Sequence, residues 1–298
     1  MVRRILITGL LVASLLAGAA AWWLQRPLAL NADTVDLSIG PGTTPRGVAQ
    51  AVAEAGVDVD PAWLFWWFRL SGEARKIRAG SYELERGLTP RSLLRKLVRG
   101  EEALRSVTLV EGWNWRQVRE ALGKAEQLKP DSQSLSDAAL MQQLGRPGVS
   151  PEGRFFPDTY TYAKGASDLA VLRRAARAMD KQLEAAWAQR APDVAVKTPA
   201  EALILASIVE KETGQAADRA MIAGVFANRL RIGMLLQTDP SVIYGLGAAF
   251  DGNLRKHHLQ TDTPWNTYTR TGLPPTPIAM PGKAALLAAV QPAQTKAL

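Results

Sequence analysis

No cysteine occurs anywhere in the chain, which excludes disulfides, thiolate metal sites, a cysteine nucleophile and a lipidated N-terminal cysteine. Histidine is almost as scarce. His257 and His258 are adjacent and lack any spaced partner, so they read as exposed side chains, and neither a metal nor another cofactor is expected. Basic blocks with interleaved aromatics are missing too. The formal charge of +8 suits an anionic partner such as a lipid surface or an acidic wall polymer, but the Arg and Lys are spread among helices, which argues against nucleic acid. What the chain does have is size: 298 residues, 47% of them apolar, are enough for two domains behind a targeting segment.

The one long apolar run is Ile5 to Leu24, uncharged and of roughly the 20 residues that span a bilayer core as a helix. Arg3 and Arg4 precede it, Arg26 follows it, and Trp22 and Trp23 sit at its far end, where indoles prefer the membrane interface. That asymmetry puts the N-terminus inside and the bulk of the chain outside. A cleaved signal peptide is the competing reading, because Ala19, Ala20 and Ala21 are small enough for a cleavage site, but the run is long for one.

Beyond a linker, one pattern occurs three times. Gly42-x-Thr44-Pro45-Arg46-x-Val48-x-x-x-Val52 aligns without gaps on Gly87-x-Thr89-Pro90-Arg91-x-Leu93-x-x-x-Leu97, and Gly112-x-Asn114-Trp115-Arg116-x-Val118-x-x-x-Leu122 keeps the spacing. Each copy reads as a strand, a glycine turn and a capped helix, since Thr44, Thr89 and Asn114 are N-cap types and Pro45 and Pro90 suit the first helical position. Between the first two copies, Pro61 begins AWLFWWFRL, a helix too apolar to stand in water. It must pack on the repeats or on a membrane surface. A small packing domain accounts for the repeats equally well as a sugar-gripping LysM-like module.

In the middle of the chain a short helix is expected over Ser136 to Leu144, and Phe155, Phe156, Tyr160 and Tyr162 of EGRFFPDTYTYAKG read as core filling. Ser167 caps a helix with an apolar seam from Leu169 to Trp187. Further on, a helix from about Asp218 to Leu230 ends at Gly233, and Thr238 or Asp239 caps another that starts at Pro240. The proline-rich stretch Thr261 to Gly282 cannot make a regular element; its Asn, Tyr and Thr side chains suit hydrogen bonding to a ligand such as a sugar.

The chemistry centres on ALILASIVEKETG, Ala202 to Gly214. Leu205, Ile208 and Val209 share a helical face with Glu212, while Glu210 is turned away by about 200° and sides with Ala206 and Ser207. The two acids therefore cannot act as one pair. A carboxyl group facing an apolar core loses hydration of its charged form, which favours the protonated state a general acid needs. The plainer reading is an amphipathic helix with charges at its last turn before a Gly214 C-cap.

ASIVEKETG, NRLRIGMLLQTDPSVIYGLG and NTYTRTGLPPTPIAMPG, behind EGRFFPDTY and a single anchor helix, resemble the YceG-like family, the endolytic murein transglycosylases. The resemblance implies cleavage of peptidoglycan glycan strands between N-acetylmuramic acid and N-acetylglucosamine, without water, leaving 1,6-anhydro ends. It makes Glu212 the catalytic acid and base, with Gln237, Thr238 and Asp239 lining the groove opposite and Asn266, Thr267 and Tyr268 holding acetamido groups or orienting Glu212. It implies an α+β fold with residues 1–4 as a cytoplasmic tail, 5–24 as a transmembrane anchor, 25–33 as a linker, 34–110 as a LysM-like module and 111–298 as the catalytic domain. The anchor would cross the inner membrane once with the catalytic domain periplasmic, and peptidoglycan synthases are the implied protein partners. Family members usually continue past Pro292 to Lys296, so the C-terminal end, Leu298, reads as short. Two rival readings stay open: a non-catalytic peptidoglycan-binding scaffold and a tethered regulator of wall synthesis.

Overall fold

The computed structural model describes residues 2–298; Met1, the first residue of the expected 1–4 tail, lies outside the described residues. The chain divides into two compact units. One runs through Arg105 and takes in Ala163–Gly165, and the other comprises Ser106–Tyr162 and Ala166–Leu298. The fold is mixed α+β.

In the first unit, helix α1 (Val2–Gln25) contains the one segment among the described residues that is long and apolar enough to cross a membrane, Leu6–Gln25. Strands β1 (Ala29–Leu30), β2 (Thr34–Ile39), β3 (Val57–Asp58) and β4 (Gly80–Glu85) alternate with helices α2 (Pro45–Glu54), α3 (Pro61–Leu70) and α4 (Pro90–Arg99). β1 pairs with β3, and β2 runs antiparallel to β4 from Thr34 opposite Glu85 to Ile39 opposite Gly80. Val35, Leu37 and Ile39 point inward with the strand period of two, and Val48, Val52, Leu93 and Leu97 cover them.

The repeat is realised as its residues dictate. Gly42, Gly87 and Gly112 take φ of 79°, 90° and 77°, the left-handed region that a side chain would resist. Thr44 then accepts a bond from the Gly47 amide, while Thr89 with Ser92 and Asn114 with Gln117 form reciprocal capping boxes. The third copy, β5 (Leu104–Thr108) followed by α5 (Trp115–Lys124), carries its helix in the second unit.

The second unit continues with α6 (Asp137–Gln143), β6 (Thr159–Ala163), which pairs with β5, and α7 (Asp168–Ala188). It closes with α8 (Pro199–Glu212), α9 (Arg219–Arg231), α10 (Asp239–Leu246), α11 (Lys256–Gln260) and α12 (Lys283–Val290). Ser136 and Ser167 cap α6 and α7 by side-chain bonds to Ala139 and Leu169. Phe155, Tyr160 and Tyr162 are buried in a core with α5 and α7.

α8 is the axis of the other core. Ala202, Leu203, Leu205, Ala206, Ser207, Ile208 and Val209 are all buried, enclosed by α7, α9 and α12. A helix apolar on every side belongs inside a protein, so the one-faced amphipathic helix expected from its sequence is corrected to a central one. Nor does Gly214 provide the expected left-handed cap. The helix ends at Thr213 in an extended conformation, φ −146°, with its hydroxyl accepting from the Gln215 amide at 2.9 Å.

Candidate active site

Helical angle alone misassigns the two acids at the end of α8. Leu205, Ile208 and Val209 are buried as their spacing requires, yet Glu212, on the same face, is exposed. The reason is axial: α8 leaves its enclosure at the last turn, so a residue at the right angle stands beyond the edge of the core. Glu210 is the covered one, its side chain 5% exposed. It bonds Arg219 Nη2 at 3.1 Å and accepts from the Gly282 amide at 2.8 Å, tying α8 to α9 and to the start of α12. The expectation of a dry Glu212 is therefore overturned for the free protein.

Glu212 is nonetheless held. The Thr238 hydroxyl donates to its Oε1. Thr238 is the N-cap residue of α10, but its side chain makes no capping bond there; the hydroxyl that would cap α10 is used on the carboxylate. Thr238 in turn is fixed from below. Its amide donates to Thr267 Oγ1 at 3.0 Å, and its carbonyl accepts from Ser241 Oγ at 2.8 Å. The preceding Gln237 has φ 51°, uncommon for a residue with a side chain, and its amide donates to the Thr267 carbonyl at 3.1 Å. Strain of this kind collects where the surroundings over-determine a functional turn.

The six residues expected beside Glu212 separate into two groups. Gln237 and Asp239 are exposed, Tyr268 is half-buried, and the Tyr268 hydroxyl donates to Asp239 Oδ1 at 2.6 Å. Burial, then the bonded Asp239 and its charge, then the charge of Glu212, push the Tyr268 phenol up to about 12, so it stays a proton donor. Thr238, Asn266 and Thr267 are buried. Asn266 spends its amide on the carbonyls of His258, Leu259 and Thr261, at 3.2, 3.1 and 2.6 Å, and its oxygen accepts from the Tyr268 amide. Those groups of Asn266 are taken up inside the loop, and Thr267 is linked to Glu212 through Thr238.

Next to this cluster a cleft of about 680 Å³ opens, with Lys211 and Pro240, the chain neighbours of Glu212 and Asp239, on its wall. Asn114, Arg116, Tyr244 and Trp265 also line it, and so does Glu152, a carboxyl group that no sequence pattern singles out. Glu152 is 3% exposed. Both its oxygens accept from the Trp115 amide, at 3.1 and 3.0 Å, and the Tyr244 hydroxyl bonds it as well. Desolvation outweighs these bonds and raises its pKa to about 7. Its only local signal was a carboxylate before Gly153, a glycine at φ 75° where an added Cβ would meet Pro277 Cβ at 2.5 Å.

That position has a measurable consequence. Because the folded state holds the Glu152 proton up to about pH 7 while the unfolded chain releases it near 4.3, stability is full below the unfolded value and falls as pH rises through the folded one. The expected loss is on the order of 3 kcal/mol across that window. Glu152→Gln, which cannot ionise, should flatten the dependence. Thermal melts of both proteins at a series of pH values check this; parallel slopes would contradict it.

The model of the YceG-like family matches residues 37–298. The chain is 30% identical to the endolytic murein transglycosylase of Bacillus subtilis (strain 168), over 88% of this chain and 77% of that protein. It is 26% identical to the endolytic murein transglycosylase of Streptococcus pneumoniae serotype 2 (strain D39 / NCTC 7466), again over 88% of this chain but about half, 52%, of that longer protein. In fold it is similar to the crystal structure of a yceG-like protein, lmo1499, from Listeria monocytogenes, with a TM-score of 0.53 at 24% identity, covering 88% of this chain and 91% of that one.

Proposed function

This chain belongs to the YceG-like family, and from that premise we propose that it is a membrane-anchored endolytic transglycosylase of peptidoglycan with Glu212 as its catalytic acid and base. The observation that carries the reading is the Thr238 hydroxyl bonded to Glu212, on a helix end held by the Glu210–Arg219 pair and next in the chain to Lys211, which lines the cleft. Gln237, Asp239 and Tyr268 are the polar groups available to a sugar there.

In this reading Glu212, protonated, donates to the glycosidic oxygen that joins N-acetylmuramic acid to the next sugar, and the bond from the muramic C1 to that oxygen breaks. The C6 hydroxyl of the same muramic residue attacks C1, and its proton passes to the Glu212 carboxylate. The acid is regenerated, no water enters, and the new end is a 1,6-anhydro ring. One carboxyl group suffices, where hydrolytic glycosidases need two. The dry surroundings that favour the acid form come from the glycan itself, which displaces water from Glu212 as it lies in the cleft. Thr238 positions the carboxyl.

The rest of the chain serves this chemistry. Residues 5–24 anchor the chain in the inner membrane with the N-terminus cytoplasmic, 34–110 form a LysM-like module, and 111–298 form a periplasmic catalytic domain acting on nascent strands beside the synthases. Digesting purified peptidoglycan with the full chain in detergent and weighing the products tests the proposal. Fragments one water lighter than reducing-end fragments are the expected result. Reducing ends would make the protein a hydrolase, and no cleavage by folded protein would leave a binding scaffold.

A further inference from the structure

Helix α3 has two apolar faces and only one of them is used. Leu64 and Phe68 are fully buried against the first unit's core, whereas Trp63, Trp66 and Leu70, at i, i+3 and i+7, form a stripe that is 59%, 55% and 79% exposed. An exposed patch of two indoles and a leucine marks an interaction site far more often than it is left to water. Its position identifies the partner. Trp63 meets Trp23, in the last turns of α1, with ring centroids 5.7 Å apart. Between the two helices lies an apolar notch of about 460 Å³, walled by Ala20, Trp23 and Leu24 on one side and Trp63, Trp66 and Leu70 on the other.

We propose that the exposed face of α3 lies in the headgroup and upper acyl region of the same bilayer that α1 crosses, with lipid chains filling the notch between them. This rests on the reading of α1 as a membrane anchor. If α1 spans, Trp22 and Trp23 sit where its apolar segment gives way to water, and α3, in ring contact with Trp23, shares that depth. Indoles favour that depth, since the ring is apolar and its N–H can reach polar headgroups. Charges of both signs lie nearby: Asp58 and Asp60 sit with Trp23 and Trp63, and three arginines can answer lipid phosphates. Arg69 is on α3 itself, Arg26 stacks over Trp22 at 5.2 Å, and Arg46 stacks over Phe65 at 5.0 Å; all three can extend to lipid phosphates. A surface helix with an apolar stripe flanked by arginine is built to lie in an interface and not to cross it. Two points of attachment would limit how freely the first unit swivels on its anchor.

The absence of cysteine makes the test direct. Single variants Ala20→Cys, Leu70→Cys and Ala216→Cys of the full chain each carry one environment-sensitive fluorophore and are reconstituted into vesicles of zwitterionic and anionic phospholipid. Two quenchers are compared, a nitroxide on the lipid acyl chain and iodide in the water. The expected result is that the labels at 20 and 70 lose most of their emission to the lipid nitroxide and little to iodide, and the label at 216 the reverse. Lipid quenching at 20 with iodide quenching at 70 would overturn the proposal and leave the anchor standing. A label at 70 shielded from both would mean that protein, a second copy or another chain, covers the stripe, and would also overturn it. Lipid quenching at neither 20 nor 70 would remove the anchor reading and this proposal with it.

Discussion

Glu212→Gln should lower the rate of glycan cleavage by at least about a thousand-fold, the upper part of the range for general acid–base catalysis, because one group carries both proton transfers. The fold should not notice. Glutamine keeps an oxygen to accept the Thr238 hydroxyl, and an exposed substitution of similar shape changes stability by no more than about 0.5 kcal/mol. Release of soluble fragments from purified peptidoglycan and a thermal melt, run on the same preparation, read the two effects separately. Retained cleavage would remove Glu212 from the mechanism.

Two positions earlier the expectation inverts. Glu210→Ala leaves the Arg219 guanidinium, 11% exposed, without its carboxylate and the Gly282 amide without its acceptor. Breaking a buried pair from one side costs about 3–5 kcal/mol, which for a unit of this size lowers the melting temperature by on the order of 10 °C. Activity measured well below that temperature should fall much less than in the Glu212 variant, because the Glu210 carboxylate is covered and taken up by Arg219 and Gly282. A Glu210 variant that melts normally but is inactive would mean the two acids had been given each other's roles.

Local chemistry was readable from the chain, and position in depth was not. Thr44, Thr89, Asn114, Ser136 and Ser167 cap helices where the residue types required it, because a cap is settled within four residues. Periodicity also gave the inward faces of α7 and of the first unit's helices. It failed at the end of α8, where Glu212 stands beyond the edge of the core and Glu210 is covered by Arg219 and Gly282, the latter remote in sequence. Thr238 was legible as an N-cap, but not as one whose hydroxyl is diverted to a carboxylate 26 residues back. Polar composition made Asn266 and Thr267 look like ligand groups, although a proline-rich loop must satisfy its own backbone first, and Asn266 does that. Glu152 was invisible for the same reason as Glu210. Its burial depends on Trp115 and Tyr244, which the fold brings from either side of it in the chain.

In the proposed reaction the sugar's own hydroxyl, and not water, closes the ring at Glu212. Digesting purified peptidoglycan with the wild-type chain in water enriched in heavy oxygen measures it directly. The expected result is that the new muramic ends carry no heavy oxygen; one heavy oxygen atom at each new end would contradict it.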